Sequence, residues 1–217
     1  MDTSAASDAL ARLDSTGIQS VLTEKLDALQ QALPGPPVTL CVLIAGDDTA
    51  RFIGSQMNGV TGVTAGSGRV ILLIDPGTVS DDALRYTLAH EYHHSWWTSN
   101  DTTAPSFTLL DGLILEGRAD AFARLQHPAY IAPWTDRLTS QQVLEQWSVI
   151  QPQLDSQDPL LHQSVMFGGG QFSQWTGYAV GNEIVQDFIA ANPDSAITEW
   201  GLMKATDLLA GSGFAEP

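Results

Sequence analysis

The sequence predicts an α+β fold: one helix, then short strands, then two paired helices and a helical C-terminal part. Three observations support this prediction. Aliphatic residues recur at helical spacing over residues 7–33, runs of strand length lie between residues 38 and 75, and two long helical patterns occupy residues 80–126. Because strands and helices do not alternate, the order favours α+β over a doubly wound α/β sheet. A length of 217 residues, 43% of them hydrophobic, suits a single domain over residues 1–217.

The first helix is predicted over residues 7–33, with a possible interruption at Gly17. The proline-rich residues 34–37 end it, because proline cannot continue a helix. Val38–Ile44 follows as an apolar run and is expected to be a buried strand. Cys41 lies in this run and is therefore expected to be an inert core residue.

A polar loop is predicted over residues 45–58, before a short strand at Val60–Thr64. A Gly-Ser-Gly turn then leads into Arg69–Ile74, which has the clearest strand pattern in the chain. The glycine-rich residues 59–68 could form a sheet edge that captures a peptide by strand addition, or a plain hairpin. The sequence leaves both alternatives open.

The paired helices are predicted at about residues 80–98 and 107–126. Ser80 is a good N-cap for the first, and His127 lies at the end of the second. A loop is expected between the two helices. Further helices are predicted in the C-terminal part, at residues 140–150, 176–191 and 195–211. Four tryptophans of this part are expected in the core: Trp134, Trp147, Trp175 and Trp200.

Residues 90–94 read H-E-x-x-H on the first of the paired helices. Positions i and i+4 share one helix face, so His90 and His94 can present two imidazole nitrogens to one metal ion. Glu91 lies on the shoulder of that face and can reach a water molecule without becoming a ligand. This geometry is typical of a zinc hydrolase. A polar helix face or a partly buried histidine cluster is the alternative, and His93 is interpreted as a neighbour of the site.

An acidic pair lies on the second of these helices, 22 residues beyond His94. Glu116 and Asp120 are at i and i+4 and therefore share a face. Gly112 and Ala119 lie on or near that face, where small residues let a second helix approach. This pattern makes sense if Glu116 binds a metal and Asp120 accepts a hydrogen bond from a ligating imidazole. The alternative is two ordinary exposed carboxylates.

H-E-x-x-H followed by E-x-x-x-D on a second helix resembles the gluzincin (thermolysin-like) metallopeptidases. Two segments resemble a bacterial family of small predicted zinc-dependent proteases of unknown function: T-L-A-H-E-Y-H-H at residues 87–94 and L-I-L-E-G-R-A-D-A-F-A at residues 113–123. The segments at residues 167–170 and 175–185 resemble the same family. The similarity extends loosely from Val38 to Phe214, and only the two helical motifs match the family specifically.

The resemblance implies Zn²⁺ as cofactor, held by His90, His94 and Glu116. It implies that Glu91 is the general base and that Asp120 is the partner of a ligating imidazole. The implied fold is a zincin-like α+β fold, in which a small mixed sheet packs on the HExxH helix and the Glu-ligand helix. Larger gluzincins have a long C-terminal domain that supplies a histidine to stabilise the transition state. That domain is not obvious here, so no residue of this chain is assigned that role.

Tyr178 follows a glycine at a predicted helix start. Its phenol could donate a hydrogen bond to the oxyanion of a tetrahedral intermediate, and its position resembles the G-Y-x-x-G stretch of the family. Packing in the core is the other interpretation. His162 is a second, weaker candidate for the same role.

Composition excludes some classes of partner. The formal net charge is −16, and Lys25 and Lys204 are the only lysines, so nucleic acid and anionic membranes are poor partners. One cysteine excludes an internal disulfide. No transmembrane span and no signal peptide are expected, which predicts a cytoplasmic protein, although a removed leader would escape this interpretation.

The sequence therefore predicts a zinc-dependent peptidase that acts on a peptide or protein substrate. In the predicted reaction, Glu91 takes a proton from water and passes it to the leaving amine. Two alternatives stand beside it: a catalytically silent zincin-like metal-binding protein, and a protein-interaction domain with an acidic surface.

Overall fold

A computed structural model of the chain describes Ala11, residues 17–100 and residues 107–215. The described residues form two compact units. Unit 1 comprises those up to Ser99 together with Ala123–Pro133, and unit 2 comprises the others. The expectation of one domain over residues 1–217 stays a prediction.

Unit 1 contains helices and a sheet in the predicted order, except for a helix between the first two strands that was not predicted. Its elements are α1 (Ile18–Ala32), β1 (Thr39–Ile44), α2 (Asp47–Gln56), β2 (Val60–Thr64), β3 (Arg69–Ile74) and α3 (Asp81–Asn100, of which the last residue belongs to unit 2).

The three strands form one mixed sheet in the order β1-β3-β2. β1 pairs with β3 in parallel, with Cys41 opposite Ile71. β2 pairs with β3 in antiparallel fashion, with Gly62 opposite Leu72. The small mixed sheet of the predicted α+β fold is therefore confirmed.

One face of this sheet is much more exposed than the other, which corrects two expectations. Along β1, exposed residues alternate with half-buried ones, so the strand is not buried throughout. Cys41 is exposed and is not a core residue. The reason is the period-two geometry of a strand: only one of its two faces can pack on the core. On β3, Val70, Leu72 and Ile74 occupy that buried face.

The predicted loop at residues 45–58 is wrong, because Asp47–Gln56 forms α2. Two aspartates in its first turn favour the positive end of the helix dipole. Asp48 also pairs with Arg51 at 2.6 Å, although both side chains are exposed. Ile53 is the one fully buried residue of this ten-residue helix, so its apolar face is short and is easily overlooked in a polar segment.

The N-terminal ends of α1 and α3 lie where a glycine and a serine in the sequence predicted them. Gly17 precedes α1 in a left-handed conformation, with φ of 72°, which breaks the helix where an interruption was suspected. Ser80 accepts a hydrogen bond from the backbone N–H of Ala83 at 3.2 Å, as expected of an N-cap. Of the predicted helix before Gly17, only Ala11 is described, and it is helical. Residues 101–106 of the predicted loop lie outside the described residues.

Unit 2 is helical. Its elements are α4 (Leu109–Gln126, of which the residues from Ala123 belong to unit 1), α5 (Ser140–Ile150), a 3-10 turn (Gln151–Gln153), α6 (Pro159–Phe167), α7 (Thr176–Ala191), α8 (Ile197–Trp200), α9 (Ala205–Ala210) and a last 3-10 turn (Gly213–Ala215). The helices predicted at residues 140–150 and 176–191 are confirmed. The one predicted at residues 195–211 is two short helices, and α6 was not predicted.

Helices α4 and α7 meet through backbone rather than through side chains. A Cβ atom added at Gly117 would lie 2.1 Å from the carbonyl oxygen of Gly181, and one added at Gly181 would lie 2.1 Å from that of Leu113. Only glycine permits so close an approach. The contact fixes the turn of α4 that carries Glu116.

The core of unit 2 contains the tryptophans predicted for it. Trp134, Trp147, Trp175 and Trp200 are all buried. Among the described helices, none has the length and apolar character needed to cross a membrane.

Candidate metal centre

His90 and His94 lie one turn apart on α3, and their imidazoles face each other. Their Nε2 atoms are 3.0 Å apart. The two rings meet edge to face, with centroids 4.6 Å apart and an angle of 82° between the planes. His90 is buried and His94 is half-buried. Two nitrogens bound to one tetrahedral zinc ion lie about 3.3 Å apart, so this pair is already close to the spacing of two zinc ligands.

Glu91 points toward strand β2 rather than along α3. The Thr64 hydroxyl donates a hydrogen bond to Oε2 of Glu91 at 2.7 Å and lies 2.9 Å from its backbone oxygen. Gly62 provides the space for the carboxylate, because a Cβ atom added there would lie only 2.3 Å from Cγ of Glu91. Glu91 is buried, with 6% of its surface exposed, so its orientation is fixed by these two strand residues.

Two further hydrogen bonds hold α3 in place within unit 1. The backbone N–H of Gly68, in the turn between β2 and β3, donates to the Ser95 hydroxyl at 2.8 Å. The Tyr92 hydroxyl donates to the carbonyl oxygen of Leu33 at 2.7 Å. Burial raises the pKa of Tyr92, so the phenol stays protonated as a donor. The helix that carries both histidines is therefore held at two points, one between the histidines and one directly after His94.

Glu116 lies half-buried on α4 in unit 2, near His162 of α6. A Cβ atom added at Gly112, one turn before Glu116, would lie 2.2 Å from Nε2 of His162. Burial lowers the pKa of His162, and the nearby Glu116 carboxylate acts in the opposite direction. Nε2 of His162 is enclosed and has no hydrogen bond to the described residues. A neutral imidazole therefore packs on the face of α4 that carries Glu116.

Asp120 is completely buried one turn further along α4. Its two carboxylate oxygens accept from the indole N–H of Trp134, at 3.0 and 3.2 Å. Tyr178 is half-buried among aromatic rings, with centroids 6.5 Å from Trp134, 6.1 Å from Phe167 and 5.4 Å from Trp175. Trp134 therefore links Asp120, through a hydrogen bond, to the aromatic rings around Tyr178. The roles predicted for Asp120 and Tyr178 stay predictions.

One group of at least three potential ligand side chains stands out among the described residues: His90, His94 and Glu116. Each offers one ligand atom, and these atoms lie within 4.8 Å of one another. Two imidazoles and one carboxylate are the donor set of a catalytic zinc site with an open fourth position. The residues predicted as ligands therefore form a possible metal site.

Three residues were not predicted to contact candidate site residues: Gly62, Thr64 and Trp134. A signal for Gly62 was present, because glycine inside a strand often marks a close approach of another group to the backbone. No signal pointed to Thr64 or Trp134, since nothing local in the sequence relates them to Glu91 and Asp120. His93, expected as a neighbour, is completely buried, with its ring centroid 5.7 Å from that of Trp96.

Comparison with known proteins agrees with these features. A family model described as "Predicted Zn-dependent protease (DUF2268)" matches residues 18–210. The chain is also 29% identical over 197 residues to "Uncharacterized protein YjaZ" of Bacillus subtilis (strain 168), which covers 86% of this chain and 72% of that relative. No solved structure matches it significantly. Because the family model covers most of the chain, the protein belongs to this family of small predicted zinc-dependent proteases of unknown function.

Proposed function

We propose that this protein is a zinc-dependent peptidase of the gluzincin type, with zinc held by His90, His94 and Glu116. The observation that carries the proposal is the group formed by these three side chains, in a chain whose family is described as zinc-dependent. A zincin-like arrangement of the sheet and the two helices is part of the same proposal. When bound, zinc acts as a Lewis acid that makes water more acidic and polarises a carbonyl group.

Glu91 acts as the general base and then as the general acid. Its carboxylate takes a proton from the attacking water while the new C–O bond forms at the peptide carbonyl carbon. It then delivers that proton to the amine nitrogen as the C–N bond breaks. The hydrogen bond from Thr64 and the space at Gly62 support this role, because they hold the carboxylate in one orientation.

Tyr178 and His162 are the two candidates for the donor that stabilises the oxyanion. Three aromatic neighbours hold the ring of Tyr178. His162 is supported by the enclosed Nε2 atom beside the Glu116 face of α4. Asp120 is proposed to orient a ligating imidazole, which would fix its tautomer.

Metal content tests the proposed site. Elemental mass spectrometry of the purified protein is expected to find about one zinc per chain, since three protein ligands define one site. His94→Ala is expected to lose the metal, because it removes a ligand. Zinc addition is also expected to raise the Tm of metal-free wild type and not that of His94→Ala. If wild type binds no metal after incubation with zinc, the peptidase proposal is wrong and an interaction role is left.

Glu91→Gln then separates catalysis from metal binding. This variant is expected to retain zinc and to lose peptide cleavage by about 100- to 10,000-fold in kcat/KM, measured on a peptide library. Glu145→Gln is the matched control, because Glu145 is exposed on α5 and should leave cleavage unchanged. A zinc-loaded wild type that cleaves nothing would favour the silent metal-binding alternative.

The same assay identifies the oxyanion donor. Removing one donor of this kind costs about 100- to 1,000-fold in kcat. We expect Tyr178→Phe to show this loss with zinc retained, and His162→Gln to show it if the imidazole is the donor instead. If both variants keep full kcat, neither residue has the role.

A further inference from the structure

Trp134 and Asp120 form a buried hydrogen bond within unit 2, and Asp120 lies one turn beyond Glu116 on α4. Asp120 has 0% of its surface exposed, and Trp134 has 4%. The indole Nε1 lies 3.0 Å from Oδ1 and 3.2 Å from Oδ2 of Asp120. A carboxylate that is removed from water needs hydrogen-bond donors, and the indole supplies one of them.

The geometry of this bond leaves Asp120 able to accept from another group. An indole N–H donates and cannot accept, so both Asp120 oxygens act as acceptors toward it. Because the two distances are nearly equal, the N–H lies close to the line that divides the carboxylate symmetrically. An ionised carboxylate has about four acceptor positions, so the outer side of each oxygen keeps capacity for a further donor. The N–H of a ligating imidazole is such a donor in the proposed function.

The indole of Trp134 is itself held by neighbouring rings. It meets the ring of Tyr178 with centroids 6.5 Å apart and an angle of 66° between the planes. Tyr178 in turn contacts Trp175 and Phe167, with centroids 5.4 and 6.1 Å away. A large ring enclosed in close packing keeps one orientation. The direction of its N–H, and with it the orientation of the Asp120 carboxylate, is therefore fixed.

We propose that Trp134 is a positioning residue of the metal centre. Its indole N–H holds the Asp120 carboxylate in the orientation in which that carboxylate accepts from a ligating imidazole. Trp134 is not a ligand and raises zinc affinity through Asp120, because a fixed acceptor keeps the imidazole in the tautomer and orientation that bind metal. This inference rests on the proposed function, since it assumes the zinc site described above.

The zinc affinity of the metal-free protein tests the proposal, measured as a Kd by competition with a chelator of known affinity. Trp134→Phe keeps an aromatic ring and removes the N–H. We expect it to weaken zinc binding about 10-fold, since the hydrogen-bond partners of ligating residues contribute about 10- to 100-fold. Trp147→Phe is the matched control, because Trp147 is also buried in unit 2, with 6% exposed, but packs on Phe214. It should bind zinc as tightly as wild type.

A double-mutant cycle separates positioning from a general loss of structure. Asp120→Ala is expected to weaken zinc binding about 10- to 100-fold. Adding Trp134→Phe to Asp120→Ala should then cause no further loss, because the group through which Trp134 acts is gone. A full further loss in the double variant, or wild-type affinity in Trp134→Phe alone, would overturn the proposal. If the wild type binds no zinc, the proposed function is wrong and this inference is wrong with it.

NMR of the tryptophan indoles gives a readout that needs no variant. The chain has six tryptophans, so the ¹H–¹⁵N spectrum contains six indole signals. Zinc added to metal-free wild type should shift the Trp134 signal, because the carboxylate it binds becomes the partner of a metal-bound imidazole. The Trp147 signal should not move. If zinc binds and the Trp134 signal stays in place, the proposal is wrong, whether or not Trp134→Phe folds.

Discussion

At the scale of single residues, the pKa of His127 is set mainly by the burial of its ring. Its pKa in the folded protein is about 4, against 6.5 for an ordinary histidine. Burial is the main cause, and the charges of Lys25 and Arg85 add to it. Between pH 6.5 and 4 the unfolded chain therefore binds a proton that the folded chain does not. Stability contributed by neutral His127 is present above pH 6.5 and is lost as the pH falls toward 4.

His127→Gln is expected to remove this acid sensitivity. After allowance for partial exposure of the ring, wild type should lose about 1 to 2 kcal/mol of unfolding free energy more than the variant between pH 7 and pH 4. Urea denaturation at several pH values measures this, with a chelator present so that metal release does not contribute. At pH 7 the imidazole is neutral in both states, so that pH provides the reference. Identical pH profiles would show that His127 titrates normally in the folded protein.

At the scale of elements, strand β2 approaches helix α3 so closely that a glycine is needed between them. Gly62 faces Glu91, and the next inward-facing residue of the strand, Thr64, binds its carboxylate. A strand with alternating faces can provide both features, because positions two apart point the same way. The spacing between β2 and α3 therefore controls the orientation of the proposed general base.

Gly62→Ala tests this control. The added Cβ would lie 2.3 Å from Cγ of Glu91, so the carboxylate or the strand must move. We expect kcat to fall about 100-fold while zinc content stays at the wild-type value, since a shift of about 1 Å in a reacting group can cost that much. Peptide cleavage and elemental mass spectrometry measure the two quantities.

Gly46→Ala is the control for that change. A Cβ atom at Gly46 has nothing within 4 Å, and its backbone is extended, with φ of −70°. Because Gly46 is the N-cap of α2, alanine should cost about 1 kcal/mol in stability at most and leave cleavage intact. Full activity in Gly62→Ala would mean that Glu91 is not the base or that the strand yields without consequence.

The helices also show where local patterns were sufficient and where they were not. Apolar residues at helical spacing, among them Leu109, Leu113 and Phe122, predicted α4, because a helix of 18 residues gives room for several of them. Helix α2 has only ten residues and one buried side chain, so its apolar face is short. Helix α6 did carry a start signal, with Asp158 as N-cap and proline at its first position, but only nine residues follow.

At the scale of the whole molecule, the two units differ in character. Unit 1 combines the mixed sheet with α1, α2 and α3, whereas the described part of unit 2 consists of helices and the turns between them, with one isolated β-bridge. The order of elements along the chain predicted this α+β content. The large negative charge does not reveal that unit 1 buries the side chain of Lys25, because net charge is a sum and contains no information about position.

The sequence by itself predicted most of the elements and the residues that form the possible metal site. His90 and His94 face one point because four residues make about one helical turn, and Glu116 and Asp120 share a face for the same reason. These relations are local, so spacing along the chain specifies them.

Tertiary structure alone decided what surrounds these groups. Thr64 and Glu91 are 27 positions apart, and Trp134 and Asp120 are 14 apart. The covering of Gly112 by His162, the exposure of Cys41 and the burial of Lys25 also depend on which faces pack together. Contacts of this kind arise from packing between distant segments, and no local periodicity specifies them.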